Sequence, residues 1–179
     1  MMIKQKNRTY TIVLFLLMVM ASCRSKNEVA KSNSGSGKEL KNNSGKLSTT
    51  IGISEKDLSS KQMYSFIEEW YGVPYQYGGD SKAGVDCSAF TKKLYLEVYK
   101  KNISRTAGGQ YEQSEKIKSE NMKEGDLVFF KIESAKISHV GVYLRYNKFI
   151  HASTKKGIVI SDLSEPYYKK YYFSSGRPK

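Results

Sequence analysis

The sequence predicts an α+β domain in which N-terminal helices pack on an antiparallel sheet. Three observations carry this. Apolar residues recur at helical spacing up to Val98, they recur in short β-type runs after Asp126, and glycine-rich segments separate successive elements.

Ser59 or Ser60 caps the first expected helix, which places Met63, Phe66, Ile67 and Trp70 on one face, and Gly72 and Pro74 end it. Tyr75 to Val85 reads as loop, with Gly78, Gly79 and Gly84. A second helix opens at Cys87, with Phe90, Leu94, Tyr95 and Val98 spaced for burial. Residues 104–122 are polar, with a short helix through Gln110 and Gln113. Asp126–Lys131, Ile137–Leu144, Lys148–Ser153 and Gly157–Ser161 then read as strands.

This domain is expected over residues 54–179, behind two segments of different composition. Lys4, Lys6 and Arg8 precede an apolar run from Thr11 to Ala21, which is too short to span a bilayer and fits a secretory signal. It ends in Met20-Ala21-Ser22-Cys23, small residues before a cysteine, which resembles a bacterial lipoprotein cleavage box and implies lipid on Cys23. Residues 1–23 are thus read as a lipoprotein signal and residues 24–53 as a tether. Within 24–50 stand six Ser, five Lys, four Asn and three Gly against four apolar residues, too few to offset the entropy of ordering. As a coil this stretch reaches about 25–30 Å.

Composition sets outer bounds. The 179 residues suit one domain with an appendage. Two Cys and two His exclude a disulfide scaffold and a Cys-rich zinc module. Apolar residues at 39% and 14 Tyr exclude wholesale disorder. The chain carries +13, and beyond residue 23 it has 27 basic against 17 acidic groups. Such charge favours anionic envelope polymers. Nucleic acid is not an expected partner, because the leader sends the chain out of the cytoplasm.

The reactive side chains converge on Cys87, His139 and His151. A helix N-terminus lowers a thiol pKa through its free N–H groups and macrodipole, and Cys87 stands where a glycine-rich loop becomes a helix. Asp86 would oppose that unless its side chain turns away or caps the helix. A nucleophile needs a base within reach and a third group to orient the base. Arg145-Tyr146-Asn147 suits a three-residue hairpin loop, which puts Leu144 opposite Lys148 and His139 opposite Ser153. His151 is then the diagonal neighbour of His139 on one face, about 7–8 Å away at the backbone, within reach of two imidazoles. A two-residue loop would put the two rings on opposite faces. Val140, Val142 and Leu144 would face the core. Zinc held by these three residues with Asp86 is the alternative. However, Cys87 lies 52 residues from His139, so no compact ligand pair exists, and no metal or other cofactor is expected.

These residues belong to blocks that resemble the NlpC-type cysteine peptidases of bacterial cell walls. The blocks are Trp70–Gly79, Asp86–Phe90, Ser104-Arg105-Thr106 with Gln110, Glu124–Phe130, Ser138–Tyr143 and Phe149–Ser153, in the family's order. Glu165–Lys170 further resembles a stretch of the lipid-anchored murein endopeptidases among them. The resemblance implies a papain-like α+β fold. It implies Cys87 as nucleophile, His139 as general base, His151 as the orienting third member, and Tyr75 over the thiol as an oxyanion donor. It also implies Asp86 and Ser88 lining the substrate groove. The implied reaction is thioester-mediated cleavage of an amide in peptidoglycan, at a D-alanyl–diaminopimelate crosslink or a D-glutamyl–diaminopimelate bond. A monomer is expected, anchored in the envelope through Cys23 on the periplasmic face of the outer membrane. The competing functions are a non-catalytic wall-binding lipoprotein, an acyl- or amidotransferase of the same superfamily, and a membrane-anchored toxin amidase. Three departures from the family pattern are Ala89, in place of a usual glycine, Arg145-Tyr146-Asn147, in place of a glycine-containing turn, and a C-terminus at Lys179 that is expected to curtail the last strand.

Overall fold

The computed structural model describes residues 60–179. The expected leader with Cys23, the tether and the first residues of the domain lie outside the described residues.

Helix α1 (Lys61–Trp70) starts at Ser60, whose hydroxyl accepts from the Met63 N–H at 3.3 Å. Met63, Tyr64, Phe66, Ile67 and Trp70 form its buried face. The expected loop that follows contains a minimal hairpin, β1 (Asp80–Ser81) with β2 (Gly84–Val85). Helix α2 (Cys87–Tyr99) buries Phe90, Leu94 and Tyr95, with Val98 half-buried against the same core. Phe90 packs on Phe66 and Trp70, locking α2 to α1. Thr106 caps the short α3 (Ala107–Glu112), accepting from the Gly109 N–H.

The strands are β3 (Ser114–Ile117), β4 (Leu127–Phe130), β5 (His139–Tyr143), β6 (Lys148–Ser153), β7 (Gly157–Asp162) and β8 (Tyr172–Pro178). They form one sheet in the order β3-β8-β4-β5-β6-β7, every pair antiparallel. Helix α4 (Pro166–Tyr171) stands between β7 and β8, with Pro166 at its start. The four expected strands are present with their ends moved by two residues or fewer.

The C-terminus differs from expectation. Far from being curtailed, β8 is an interior strand paired to β3 on one side and β4 on the other. Its residues, Tyr-Phe-Ser-Ser-Gly-Arg-Pro, carry no aliphatic alternation, so apolar periodicity does not reveal it. Small residues are what its neighbours require. A Cβ on Gly176 would meet the Ser114 Cβ at 2.7 Å.

The sheet has two apolar faces. Leu127, Phe129, Val140, Val142, Ile150, Ala152 and Ile158 pack with α1 and α2 in the main core. Val128, Phe130 and Phe149 pack on the other face under Tyr168 and Tyr171 of α4 and Tyr172. Burying both faces stabilises the sheet at about 25 cal/mol per Å² of apolar surface removed from water.

The β5–β6 turn has the expected length. The Leu144 N–H donates to the Lys148 carbonyl and the Lys148 N–H to the Arg145 carbonyl, each at 2.8 Å, and Val142 pairs with Ile150 and Tyr143 with Phe149. Tyr146 and Asn147 take positive φ, at 51° and 62°, to make it without glycine. As expected, Val140, Val142 and Leu144 are buried in the main core.

Candidate active site

Cys87 is the first residue of α2, and Asp86 is its N-cap, with Oδ1 accepting from the Ala89 N–H at 2.8 Å. The cysteine is buried. Its sulfur lies within hydrogen-bonding reach of the Val140 N–H, which places it beside the start of β5. Burial pushes the thiol up to about 11. The Asp86 charge pushes in the same direction, while the backbone N–H groups of Val140, Ser88 and Cys87 pull down. The expectation of a helix-stabilised thiolate is therefore corrected. Desolvation outweighs the helix terminus and raises the thiol.

His139 opens β5, and its Nε2 lies 2.9 Å from His151 Nδ1. The rings are perpendicular, with centroids 4.9 Å apart. The three-residue loop thus puts both imidazoles on one face, as the sequence predicts. Burial lowers His139 to about 4. Burial and the neighbouring His139 lower His151 well below the ordinary imidazole value. Both rings are neutral at pH 7. With Nε2 engaged by His151, His139 has Nδ1 left for the thiol. His151 stacks on Phe149, with centroids 4.8 Å apart and planes 23° apart, which fixes its ring plane.

Two residues not singled out by sequence reasoning complete this cluster. Ser161 Oγ and Tyr168 Oη each lie 3.1 Å from His151 Nε2. Ser161 pairs with Phe149 across β6–β7, so it is the diagonal neighbour of His151. The diagonal rule that joins the two histidines would have found it too. Tyr168 comes from α4, and no local pattern ties that helix to β6.

Asp86 and Ser88 lie together beside the thiol, both buried, and Arg105 holds them. Its Nη1 donates to Asp86 Oδ1 at 2.9 Å and Ser88 Oγ at 3.0 Å, and its Nη2 donates to Asp86 Oδ2 at 2.7 Å. Burial alone would raise the Asp86 carboxyl. The Arg105 guanidinium and the bonds from Ala89 and Ser88 outweigh it and hold the group below the usual carboxylate range. Gln110 secures this corner, donating to the carbonyls of Ser88 and Ser104 at 2.9 Å each. The Ser104–Gln110 block thereby gains a physical role: it braces the N-terminus of α2.

Tyr75 is half-buried against the core cluster that includes Cys87. Burial and the nearby Cys87 and Asp86 raise its phenol, so it remains an O–H donor at neutral pH. Among the described residues no group of three or more His, Cys, Asp and Glu is placed to hold a metal ion. Nor is any described helix long and apolar enough to cross a membrane.

A buried cysteine on a helix N-terminus, beside the antiparallel strand that carries one of two paired histidines, is the arrangement of papain-like cysteine peptidases. The chain belongs to the NlpC/P60 family, whose model matches residues 72–177. It is 41% identical over 120 residues to a probable endopeptidase NlpC homolog of Haemophilus influenzae, covering 67% of this chain and 63% of that protein. It is 38% identical over 121 residues to the murein DD-endopeptidase MepS/murein LD-carboxypeptidase of Escherichia coli K12, covering 68% and 63%. The chain thus spans less than two thirds of the length of these relatives. Among solved structures, an NlpC/P60 family protein of Bacillus cereus superposes with a TM-score of 0.60 at 27% identity, covering 65% of this chain and 39% of that one. The expected family and its α+β, papain-like fold are borne out.

Proposed function

We propose that the chain is a cysteine peptidase that hydrolyses amide bonds in peptidoglycan stem peptides or their crosslinks. The observation that carries this is that the Val140 N–H acts on the Cys87 sulfur while His139, the residue before Val140, pairs with His151 at 2.9 Å. The names of the relatives, endopeptidase and murein DD-endopeptidase, support the substrate class.

The mechanism starts from neutral partners. As the sulfur attacks the carbonyl carbon, His139 Nδ1 takes the thiol proton, so no free thiolate is required beforehand. The Cys87 N–H and the Tyr75 hydroxyl donate to the developing oxyanion. When the tetrahedral intermediate collapses, the C–N bond breaks and His139 returns the proton to the leaving amine, leaving a thioester on Cys87. His139 then takes a proton from water, the hydroxide adds to the thioester, and the carboxylate product leaves as the thiol re-forms. His151 holds the His139 ring throughout. Asp86, Ser88 and Arg105 form the wall of the groove beside the thiol.

Lipid on Cys23 and the tether would hold this domain at the envelope, on the periplasmic face of the outer membrane, as a monomer. The surplus of basic groups favours adsorption to the anionic wall.

The test is to incubate the full chain and its Cys87→Ser form with purified crosslinked muropeptide dimers and read products by mass spectrometry. Conversion of dimers to monomers by the wild type alone supports crosslink cleavage. Shortened stems with intact crosslinks place the cut at the D-glutamyl bond. Conjugates without free amine ends mean transfer, and no product from either form means wall binding alone.

A further inference from the structure

Glu165–Lys170 has no part in the mechanism above, yet α4 in that stretch delivers Tyr168 to the histidine pair. Its ring packs edge-on against Phe149, with centroids 4.9 Å apart, and against Phe130, 5.7 Å away, so packing aims its hydroxyl. That oxygen and Ser161 Oγ each lie 3.1 Å from His151 Nε2, and Ser161 donates its hydroxyl hydrogen to Tyr168 Oη at 3.3 Å.

A serine has one hydrogen to give. Once it goes to Tyr168, the Ser161 lone pairs face His151 Nε2 and accept a hydrogen there when Tyr168 turns its own O–H away from that nitrogen. A neutral ring protonated there offers a bare Nδ1. His139 then donates from Nε2 across the 2.9 Å contact and keeps its own Nδ1 bare. A bare Nδ1 is what a base toward Cys87 requires. With the opposite polarity, His139 would hold hydrogen on Nδ1 and could not take the thiol proton.

We propose that Tyr168 and Ser161 are positioning residues that hold His151 in the Nε2–H tautomer and so set the direction of the hydrogen bonds running back to Cys87. The inference rests on the reading of His139 as the base. Among the described residues no carboxylate joins this run of hydrogen bonds, so two neutral hydroxyls do the orienting work that an acid performs in other triads.

Tyr168→Phe keeps the ring packing and removes the acceptor for the Ser161 hydrogen, which can then turn toward His151 Nε2 and reverse the chain. Ser161→Ala removes one acceptor for His151 and the hydrogen given to Tyr168, whose hydroxyl is then free to donate to His151 Nε2 instead. The test records imidazole ¹⁵N spectra of the full chain and muropeptide turnover for the wild type and both variants. The expected result is an Nε2–H His151 in the wild type, a shift toward Nδ1–H in the variants, and a kcat lower by about tenfold at unchanged KM. That loss is a fraction of the about 10²- to 10⁴-fold that general-base catalysis supplies. An unchanged tautomer in both variants overturns the proposal even if rates fall, because a merely structural role would lower rates without moving the hydrogen. So does an Nδ1–H His151 in the wild type. An Nε2–H His151 that responds to both variants, in a wild type that hydrolyses nothing, supports the positioning and overturns the peptidase reading instead.

Discussion

His139 Nε2 lies 2.9 Å from His151 Nδ1, and the two rings stand perpendicular on one face of the sheet. This contact follows from the length of one turn. A loop one residue shorter would move one imidazole to the far face. The placing of both rings is therefore set by the length of the Arg145-Tyr146-Asn147 turn.

The first prediction concerns the two rings. His139→Ala removes the base and is expected to lower kcat by about 10²- to 10⁴-fold. His151→Ala leaves the base but frees its ring, so its loss should be smaller. Parallel kinetics with far-UV circular dichroism to confirm folding will rank them. Equal losses would contradict an orienting role for His151.

A pH profile tests the resting protonation states. Burial lowers His139 to about 4 and raises Cys87 to about 11. Turnover should persist below the ordinary imidazole value and fall as pH drops through about 4, where His139 protonates. Alkylation of Cys87 by iodoacetamide should keep rising toward pH 11. The same shift has a sign for stability. His139 is neutral in the fold and protonated in the unfolded chain below 6.5. Its contribution is therefore complete above that pH and is lost as pH falls toward 4. An acid limb of activity at 6.5 would contradict a buried neutral base.

Removing Arg105 should weaken the fold. Arg105→Met leaves the buried Asp86 carboxylate without its bidentate partner, at a cost of about 1–3 kcal/mol in urea melts. The Asp86 carboxyl lies below its ordinary value in the fold, so the stability it adds is present above that value and is lost as pH falls through the lowered one. The variant should lose the share of this acid dependence that Arg105 supplies, the bonds from Ala89 and Ser88 keeping the rest. An unchanged midpoint would mean that Arg105 contributes nothing to the α2 terminus.

Gly141→Ala should damage fold and site together. The added Cβ would meet Phe149 Cδ2 at 2.7 Å, the Ile150 carbonyl at 2.9 Å and His151 Cβ at 3.2 Å. Overpacking costs about 1–3 kcal/mol. The strand must yield where it carries His151, so kcat should fall more than the melting midpoint alone explains. Wild-type turnover in a destabilised variant would separate packing from catalysis.

Much of this was legible in the residues. Helical spacing placed the buried faces of α1 and α2, and period-two runs with a three-residue turn placed four strands and the two histidines. What escaped was held by contacts distant in sequence. Strand β8 carries small and polar residues because it threads between β3 and β4, where close approach matters more than apolar pattern. Tyr168 reaches His151 only through the tertiary course of α4. The thiol pKa reversed because burial of Cys87, which no local pattern reports, outweighs the helix terminus that the sequence does announce.

The central claim is that Cys87 carries the acyl group. Intact-protein mass spectrometry of the full chain, quenched in acid within milliseconds of mixing with muropeptide dimer, tests it most directly. The account predicts a transient added mass equal to the acyl half of the substrate, mapped to Cys87, that forms and decays at rates compatible with turnover and is absent in His139→Ala. Turnover without any adduct on Cys87 would contradict it.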